Sequence, residues 1–354
     1  MKSVVIIGGG PAGLALAAGL SQFASNDITI IEKTTYDDFV SGEHLQPQIL
    51  PILKHLSIPA DILFKNSTAC DGIFGLWANR PILKKSLFNP YGHDYIIHRP
   101  QFEQTLTDYL KKRGVKSYLG TAAGKIEKGQ VLIGNKTLSY DYLFDCSGRT
   151  SQNFDNKRLF FDKLVGVSFF AASESENNAK VLIESAENGW WYYTHSKKTK
   201  IITFFTDADI YKELRKDLQK ELDKTSFVKN YCKRLNGNPR IKTAYTSILK
   251  SNPAEILQIG DSYYSLDPLS SQGVYKAFKQ ALEITNLFSK NKFEKSVFEF
   301  YTEQKKDFFN QLCSREYHYN KANLYYKSEF YKRRIKLNLL EPSLGSNFSQ
   351  FTTM

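Results

Sequence analysis

The 354-residue chain is poor in the features that mark a metal protein, a disulfide scaffold or a membrane protein. Its four cysteines, Cys70, Cys146, Cys232 and Cys313, are scattered without any C-x-x-C pair, so reduced thiols are expected and a metal site is not. No stretch approaches the roughly eighteen consecutive apolar residues of a membrane span, and no membrane association is expected. Motifs of nucleic-acid modules are missing too, so nucleic acid is not an expected partner. The first strand-forming run starts at Lys2, which leaves no room for a secretory leader; the expectation is a cytoplasmic protein. With 42% hydrophobic and 24% charged residues the composition is globular, and the length allows two domains or one large one.

What is present begins at once. Lys2 to Ile7 is an apolar strand pattern that runs into Gly8-x-Gly10-x-x-Gly13, with Pro11 and Ala12 opening a small-residue helix, and a second strand, Ile28 to Ile31, ends on Glu32 and Lys33. Glycines alone would say little, but strand, helix and terminal acid arrive together, the order of a dinucleotide-binding unit. Gly8 permits the tight turn, Gly10 lets a pyrophosphate approach the backbone, and Gly13 lets helix and strand pack closely. The helix N-terminus then faces the diphosphate, and Glu32 is placed to accept from ribose hydroxyls.

Further along, Glu43 and His44 follow Gly42 on a loop after the nucleotide-binding acid, where they read either as an acid–base pair at the crevice mouth or as the approach to a helix over 49–56. Arg99 stands just before Pro100 opens a helix to Lys112, in position to meet a phosphate or a ring edge. Tyr142 to Asp145 is an apolar strand that delivers an acid, small residues and Gly148, as a backbone passing close to a cofactor requires. Another strand, Ile256 to Ile259, ends in Gly260 and Asp261. Beyond it Pro268, Gln272 and Gly273 lead into a helix running to about Phe288. An acid at a strand end suits a sugar-alcohol hydroxyl, and a helix N-terminus suits a ring that becomes anionic on reduction. Residues 71–97 and 154–205 are rich in strand formers and predict an antiparallel sheet walling an aromatic pocket. Within it Trp190 is either a substrate contact or, with Trp191, one of a core and rim pair on opposite faces. Ile210 to Leu235 reads as one charged amphipathic helical region.

These motifs, Gly8-x-Gly10-x-x-Gly13 with Glu32, Arg99, Asp145-x-x-Gly148-Arg149, and Gly260-Asp261 with Pro268, resemble the FAD motifs of class A flavoprotein monooxygenases. The resemblance implies an α/β fold: a Rossmann-type FAD-binding domain (1–70, 98–155 and 250–290), an inserted antiparallel substrate domain (71–97 and 156–249) and a C-terminal helical region (291–354). In that family the aspartate matching Asp261 binds the ribityl chain, the following helix points at the flavin pyrimidine, and the arginine matching Arg99 lies near FAD. Gly42-Glu43-x-Leu45-x-Pro47, Gly189-Trp190-Trp191-Tyr192, Asp267-Pro268-Leu269-Ser270-Ser271-Gln272-Gly273 and the aromatic, basic run from Tyr325 to Arg334 look like the branch that holds flavin-dependent halogenases. Within it they look most like the modifying flavoproteins of tryptophylquinone-containing lysine and glycine oxidases. Two departures count against halogenation. Trp190 and Trp191 are adjacent, unlike the halogenase Trp-x-Trp-x-Ile-Pro signature, and Asp71 to Trp77 holds no counterpart of the halogenase active-site lysine. The Asp-Gly of aromatic hydroxylases is also missing, since Asp162 has no glycine after it.

The resemblance implies an FAD enzyme that uses O2 with NAD(P)H or another reductant to hydroxylate a tryptophan of a precursor oxidase, Glu43 or His44 acting as acid or base. The alternatives are a small-molecule hydroxylase or flavin reductase, and a flavin-bound assembly factor. A monomer is expected. Net charge is +12, and from Lys305 to Lys336 nine Lys or Arg face three acids among many aromatics. That run is either a docking face for the precursor protein or a packed helix with a solvated basic side.

Overall fold

The computed structural model describes residues 2–36, 43–86, 89–151, 158–172, 179–196, 199–251, 256–290 and 293–335. Gly42 of the Gly42-Glu43 motif and Lys336 of the basic run lie outside them.

The leading strand Lys2–Ile7 is buried along its apolar end because it sits at the centre of a five-stranded parallel sheet. Its neighbours are Asn26–Ile31 on one side and Tyr142–Asp145 on the other, flanked by Lys116–Tyr118 and Leu257–Gln258 at the edges. Parallel strands need crossovers, and the small residues of the helix Pro11–Leu20 let that crossover lie flat on the sheet, with all but its first residue buried. Register decides where the site forms. Ile7 pairs with Ile31 and with Asp145, and Asp145 pairs with Gln258. Gly8, Glu32, Cys146 and Ile259 therefore leave the sheet side by side at its carboxyl edge, where ligands of such sheets bind.

A seven-stranded sheet runs Arg240–Thr243, Leu164–Ala172, Thr199–Asp207, Gly189–His195, Lys180–Ala186, Gly72–Trp77 and Arg80–Lys85. It draws on both stretches expected to form the substrate sheet. It is not wholly antiparallel: Gly72–Trp77 pairs in parallel with Lys180–Ala186, since the chain crosses the nucleotide-binding half between them. A three-stranded sheet, Glu43–Leu45, Asp94–Ile97 and Ser67–Cys70, lies between the two larger ones in the chain's course. The strand Asp94–Ile97 thus pairs with segments 43–45 and 67–70, not with the sheet that the 71–97 boundary predicted.

Both faces of the seven-stranded sheet are covered. The expected helical region over 210–235 consists of two short helices, Ala208–Leu214 and Leu218–Asp223, and a 3-10 turn at Val228–Asn230, and these cover the outer face. The inner face packs against the C-terminal helices Phe293–Tyr326 and Glu329–Ile335. Consecutive strand residues point to opposite faces, so Trp190 enters the inner cluster and Trp191 the outer one. Both are 0% exposed. Neither indole is at a rim, and Trp190 as a substrate contact is contradicted: it stacks on Phe205 at 4.2 Å and donates Nε1–H to the Tyr319 hydroxyl at 3.0 Å.

Candidate functional site

Two helix N-termini meet at the carboxyl edge of the parallel sheet. Pro11–Leu20 starts from Gly10 and Gly273–Ser289 starts from Gln272; neither has a side-chain cap or an acid in its first turn. A Cβ at Gly260 would lie 2.8 Å from Ala12 Cβ and 3.9 Å from Ala277 Cβ, and one at Gly19 would lie 2.0 Å from Thr285 Oγ1. The two helices therefore run side by side in the same direction and present both positive ends to one crevice. The glycine turn is sterically obligatory. Gly8 has φ +105°, and a Cβ on Gly13 would sit 1.9 Å from the Gly8 carbonyl oxygen. Beside Gly10, by contrast, a Cβ would meet only an Arg99 guanidinium nitrogen at 3.7 Å. A bare backbone facing open space, with two uncapped helix ends above it, fits the diphosphate and ring of a flavin dinucleotide.

The polar groups divide into three sets. Glu32 accepts from Gly9 N–H at 2.6 Å and from the Thr34 N–H and hydroxyl, both at 2.8 Å. That uses three of roughly four acceptor sites of a carboxylate, leaving capacity for one more hydroxyl. Lys33 is exposed beside it. Arg99, at the start of the helix Arg99–Lys112, lies between two acids: Nη1 donates to Glu43 at 2.8 Å and Nε to Glu103 at 2.7 Å. Burial works against the Arg99 charge, but Glu43 and Glu103 outweigh it and raise its pKa. Burial pushes the Glu103 carboxyl up, with Arg99 opposing. Asp261 is the reverse case, one acid between two cations. It accepts from Lys276 Nζ and Arg149 Nε, both at 2.8 Å. Burial opposes its ionisation, yet Lys276 and Arg149 hold it well below the usual carboxylate range. Burial lowers the Lys276 ammonium, against the pull of Asp261.

Of the predicted residues, Gly8, Gly10, Pro11, Ala12, Gly13, Glu32, Gly148, Gly260 and Asp261 come together at this edge, with Pro268, Gln272 and Gly273 in the turn leading to the second helix. Glu43 and His44 separate, because they are neighbours on one strand: Glu43 faces Arg99, and His44 is buried on the other side against Asp94. Sequence reading missed Glu103, Lys276 and Asp94. Glu103 had a signal, its four-residue spacing from Arg99 on a helix; Lys276 and Asp94 reach their partners through tertiary contacts that no spacing announces.

Two arginines of the basic run are spent on buried pairs. Arg334 Nη2 donates to Asp207 at 2.6 Å and Arg315 Nη1 to Asp162 at 2.5 Å, with each side chain no more than 5% exposed. Arg333 reaches Asp209 at 2.7 Å. The docking-face alternative fails for Arg315 and Arg334, whereas Arg333 stays exposed and pairs at the surface. Asp162, which lacked its glycine, serves this lock. Tyr319 also donates to Asp267, at 2.9 Å, tying the long helix to the turn before Pro268.

A family model described as tryptophan halogenase matches residues 3–93 and 77–330. A Marinomonas mediterranea protein with the provisional name FAD-dependent oxidoreductase LodB is 27% identical over 95% of this chain and 98% of its own length. Among solved structures, CmlS, a flavin-dependent halogenase, superposes with a TM-score of 0.81 at 20% identity over 94% of this chain and 67% of that one. QhpG, a peptidyl tryptophan dihydroxylase essential for tryptophylquinone cofactor biogenesis, gives 0.74 at 16% identity over 94% of this chain and 78% of that one.

Proposed function

We propose that this chain, which belongs to the tryptophan halogenase family and is an FAD-dependent oxidoreductase, hydroxylates a tryptophan of a precursor oxidase during maturation of a tryptophylquinone cofactor. The observation that carries the choice of hydroxylation over halogenation is the strand Gly72–Trp77. It reads Gly-Ile-Phe-Gly-Leu-Trp and offers no ammonium group where the resemblance to halogenases calls for one. The likeness to QhpG supports a peptide-borne tryptophan as substrate.

In this reading the chain's own groups bind, orient and shield. The backbone at Gly8, Gly10 and Gly13, with the N-terminus of Pro11–Leu20, holds the diphosphate, and Glu32 takes a ribose hydroxyl. Asp261 holds the ribityl hydroxyls, and the N-terminus of Gly273–Ser289 faces the pyrimidine edge. Bound FAD supplies two electrons to O2 so that one oxygen atom becomes electrophilic, the hard chemistry the protein leaves to its cofactor. Arg99, kept charged by Glu43 and Glu103, lies beside the diphosphate turn. Glu43 and His44 supply acid–base capacity on the two sides of their strand. O2 is the oxygen source and NAD(P)H or another reductant the electron source.

The test is to reduce the FAD-loaded chain without oxygen, then add isotopically labelled O2 and an unmodified precursor oxidase. The expected result is label in one precursor tryptophan by mass spectrometry. Halogen incorporation in the presence of bromide, or label only in free indole or phenol, would overturn this reading in favour of a halogenase or a small-molecule hydroxylase. A tight complex with precursor and no oxygen consumption would make the protein an assembly factor.

A further inference from the structure

His44 carries a buried imidazole with half of its hydrogen-bonding capacity unused. Its side chain is 0% exposed, Nε2 lies 3.0 Å from Asp94 Oδ2, and Nδ1 has no partner. A carboxylate only accepts, so Nε2 carries a hydrogen, and the tautomer with that hydrogen has its lone pair on Nδ1. Buried polar atoms without partners are few in folded proteins, and one on a carboxylate-oriented imidazole has the form of a proton acceptor awaiting a donor.

Strand geometry says which compartment this nitrogen belongs to. Side chains alternate along Glu43–Leu45. Glu43 points to Arg99 and the nucleotide-binding half, so His44 points the other way, on the face that carries Ile96 and, by register, Cys70. Ile96 and Cys70 belong to the inner cluster of the seven-stranded sheet, and Leu269, in the turn before the second helix, packs against that cluster. The His44 backbone bonds with the half-buried Tyr192 of the same sheet. The imidazole thus lies on the side of its strand that faces the inner sheet cluster, against which the Pro268 turn also packs, opposite the side that meets Arg99. Glu43 is bound to Arg99, whereas His44 Nδ1 is uncommitted.

We infer that His44 Nδ1 is the proton acceptor of the oxidation step and that Asp94 is its positioning residue; this rests on the proposed indole oxygenation. As the ring carbon of the indole bonds to the electrophilic oxygen derived from O2, its C–H bond breaks, the electron pair returns to the ring, and the proton passes to Nδ1. The imidazolium so formed is held by Asp94. The second oxygen atom leaves as water, its two electrons coming from the reduced flavin and one of its protons from Nδ1, which frees the acceptor for the next turnover. Asp94 fixes the tautomer, without which the lone pair would be on the wrong nitrogen.

The experiment is nitrogen NMR of the FAD-loaded chain with labelled histidine, titrated with N-acetyltryptophanamide, alongside His44→Gln, Asp94→Asn and Asp94→Glu. Expected is a His44 Nδ1 resonance of the unprotonated type that moves on titration, and loss of the single tautomer in Asp94→Asn. With precursor, His44→Gln should lower kcat on the order of a hundredfold with KM held, and Asp94→Glu should recover part of what Asp94→Asn loses. A protonated Nδ1 in the wild-type chain, or one that ignores the indole while the indole is oxidised, overturns the assignment without touching the proposed reaction. An Nδ1 that responds in a chain that oxidises no indole supports the acceptor and overturns the reaction. Because the titration uses the wild-type chain, a variant that fails to fold does not remove the test.

Discussion

The C-terminal helices and the nucleotide crevice both set cations around aspartates, and the accessibility of the two sets differs. Arg334 and Asp207 are 1% and 3% exposed, whereas Asp261 and Arg149 each keep 24% of their side chains open. In the first set the charges meet only each other, and the product is a closed lock between Glu329–Ile335 and the end of the strand Thr199–Asp207. In the second, two cations share one carboxylate beside an uncapped helix N-terminus, so the local field is positive and open to an anionic or hydroxyl-bearing ligand. The difference teaches that basic density along the chain is a poor guide to binding: in the run richest in Lys and Arg, Arg315 and Arg334 work inside the protein.

The sharpest way to break the comparison is at the closed pair. Arg334→Ala should strip Asp207 of its buried partner and cost about 3–5 kcal/mol of folding stability, read by denaturant unfolding. The other contact to Asp207, from Arg333 at 3.3 Å on a half-exposed side chain, is too weak to replace it. A stability change within about 0.5 kcal/mol, the range of ordinary surface substitutions, would mean that the lock is ornamental.

A smaller effect belongs to the open pair. Asp261→Asn should weaken FAD binding by about 1.5–3 kcal/mol through loss of charge-assisted bonds, and the asparagine limits the collapse that alanine would allow around Lys276. The same site has a pH signature. The Asp261 pKa is depressed in the folded chain by Lys276 and Arg149, so its contribution is fully present above the ordinary value of 3.8 and is lost as pH falls below it. Apo protein should lose stability below about pH 4, and Asp261→Asn should flatten that part of the profile. An unchanged acid profile would show that Asp261 adds nothing to folding.

The smallest change in stability is expected on the basic face that remains exposed. Lys321, Lys327 and Lys332 point to solvent, among the exposed Tyr317, Leu324 and Tyr325. Reversing the three charges should leave the melting temperature nearly unmoved while slowing precursor modification at low salt. The difference should close toward 1 M salt, as the screening length shortens from about 10 Å at 0.1 M to about 3 Å. Equal rates at both salt concentrations would end the docking reading.

By itself the sequence determined the α/β class, the glycine turn, Glu32 and the strand ends that bear Gly148, Gly260 and Asp261. These are local facts: a strand, a turn and a helix start are written in consecutive residues, and parallel-sheet register then carries the strand ends to one edge. It also located both stretches of the second sheet, through their density of β-branched and aromatic residues. Tertiary structure alone decided the rest. Trp190 and Trp191 read as a possible core and rim pair, but helices drawn from 208–235 and 293–335 cover both sheet faces and enclose both indoles. Arg315 and Arg334 look like surface cations in a basic run until Asp162 and Asp207, distant in the chain, are folded against them. His44 gains its meaning from Asp94, which pairing with Asp94–Ile97 delivers. Side-chain chemistry is local, but a charge becomes a lock, an anion site or a proton acceptor only through what burial places opposite it.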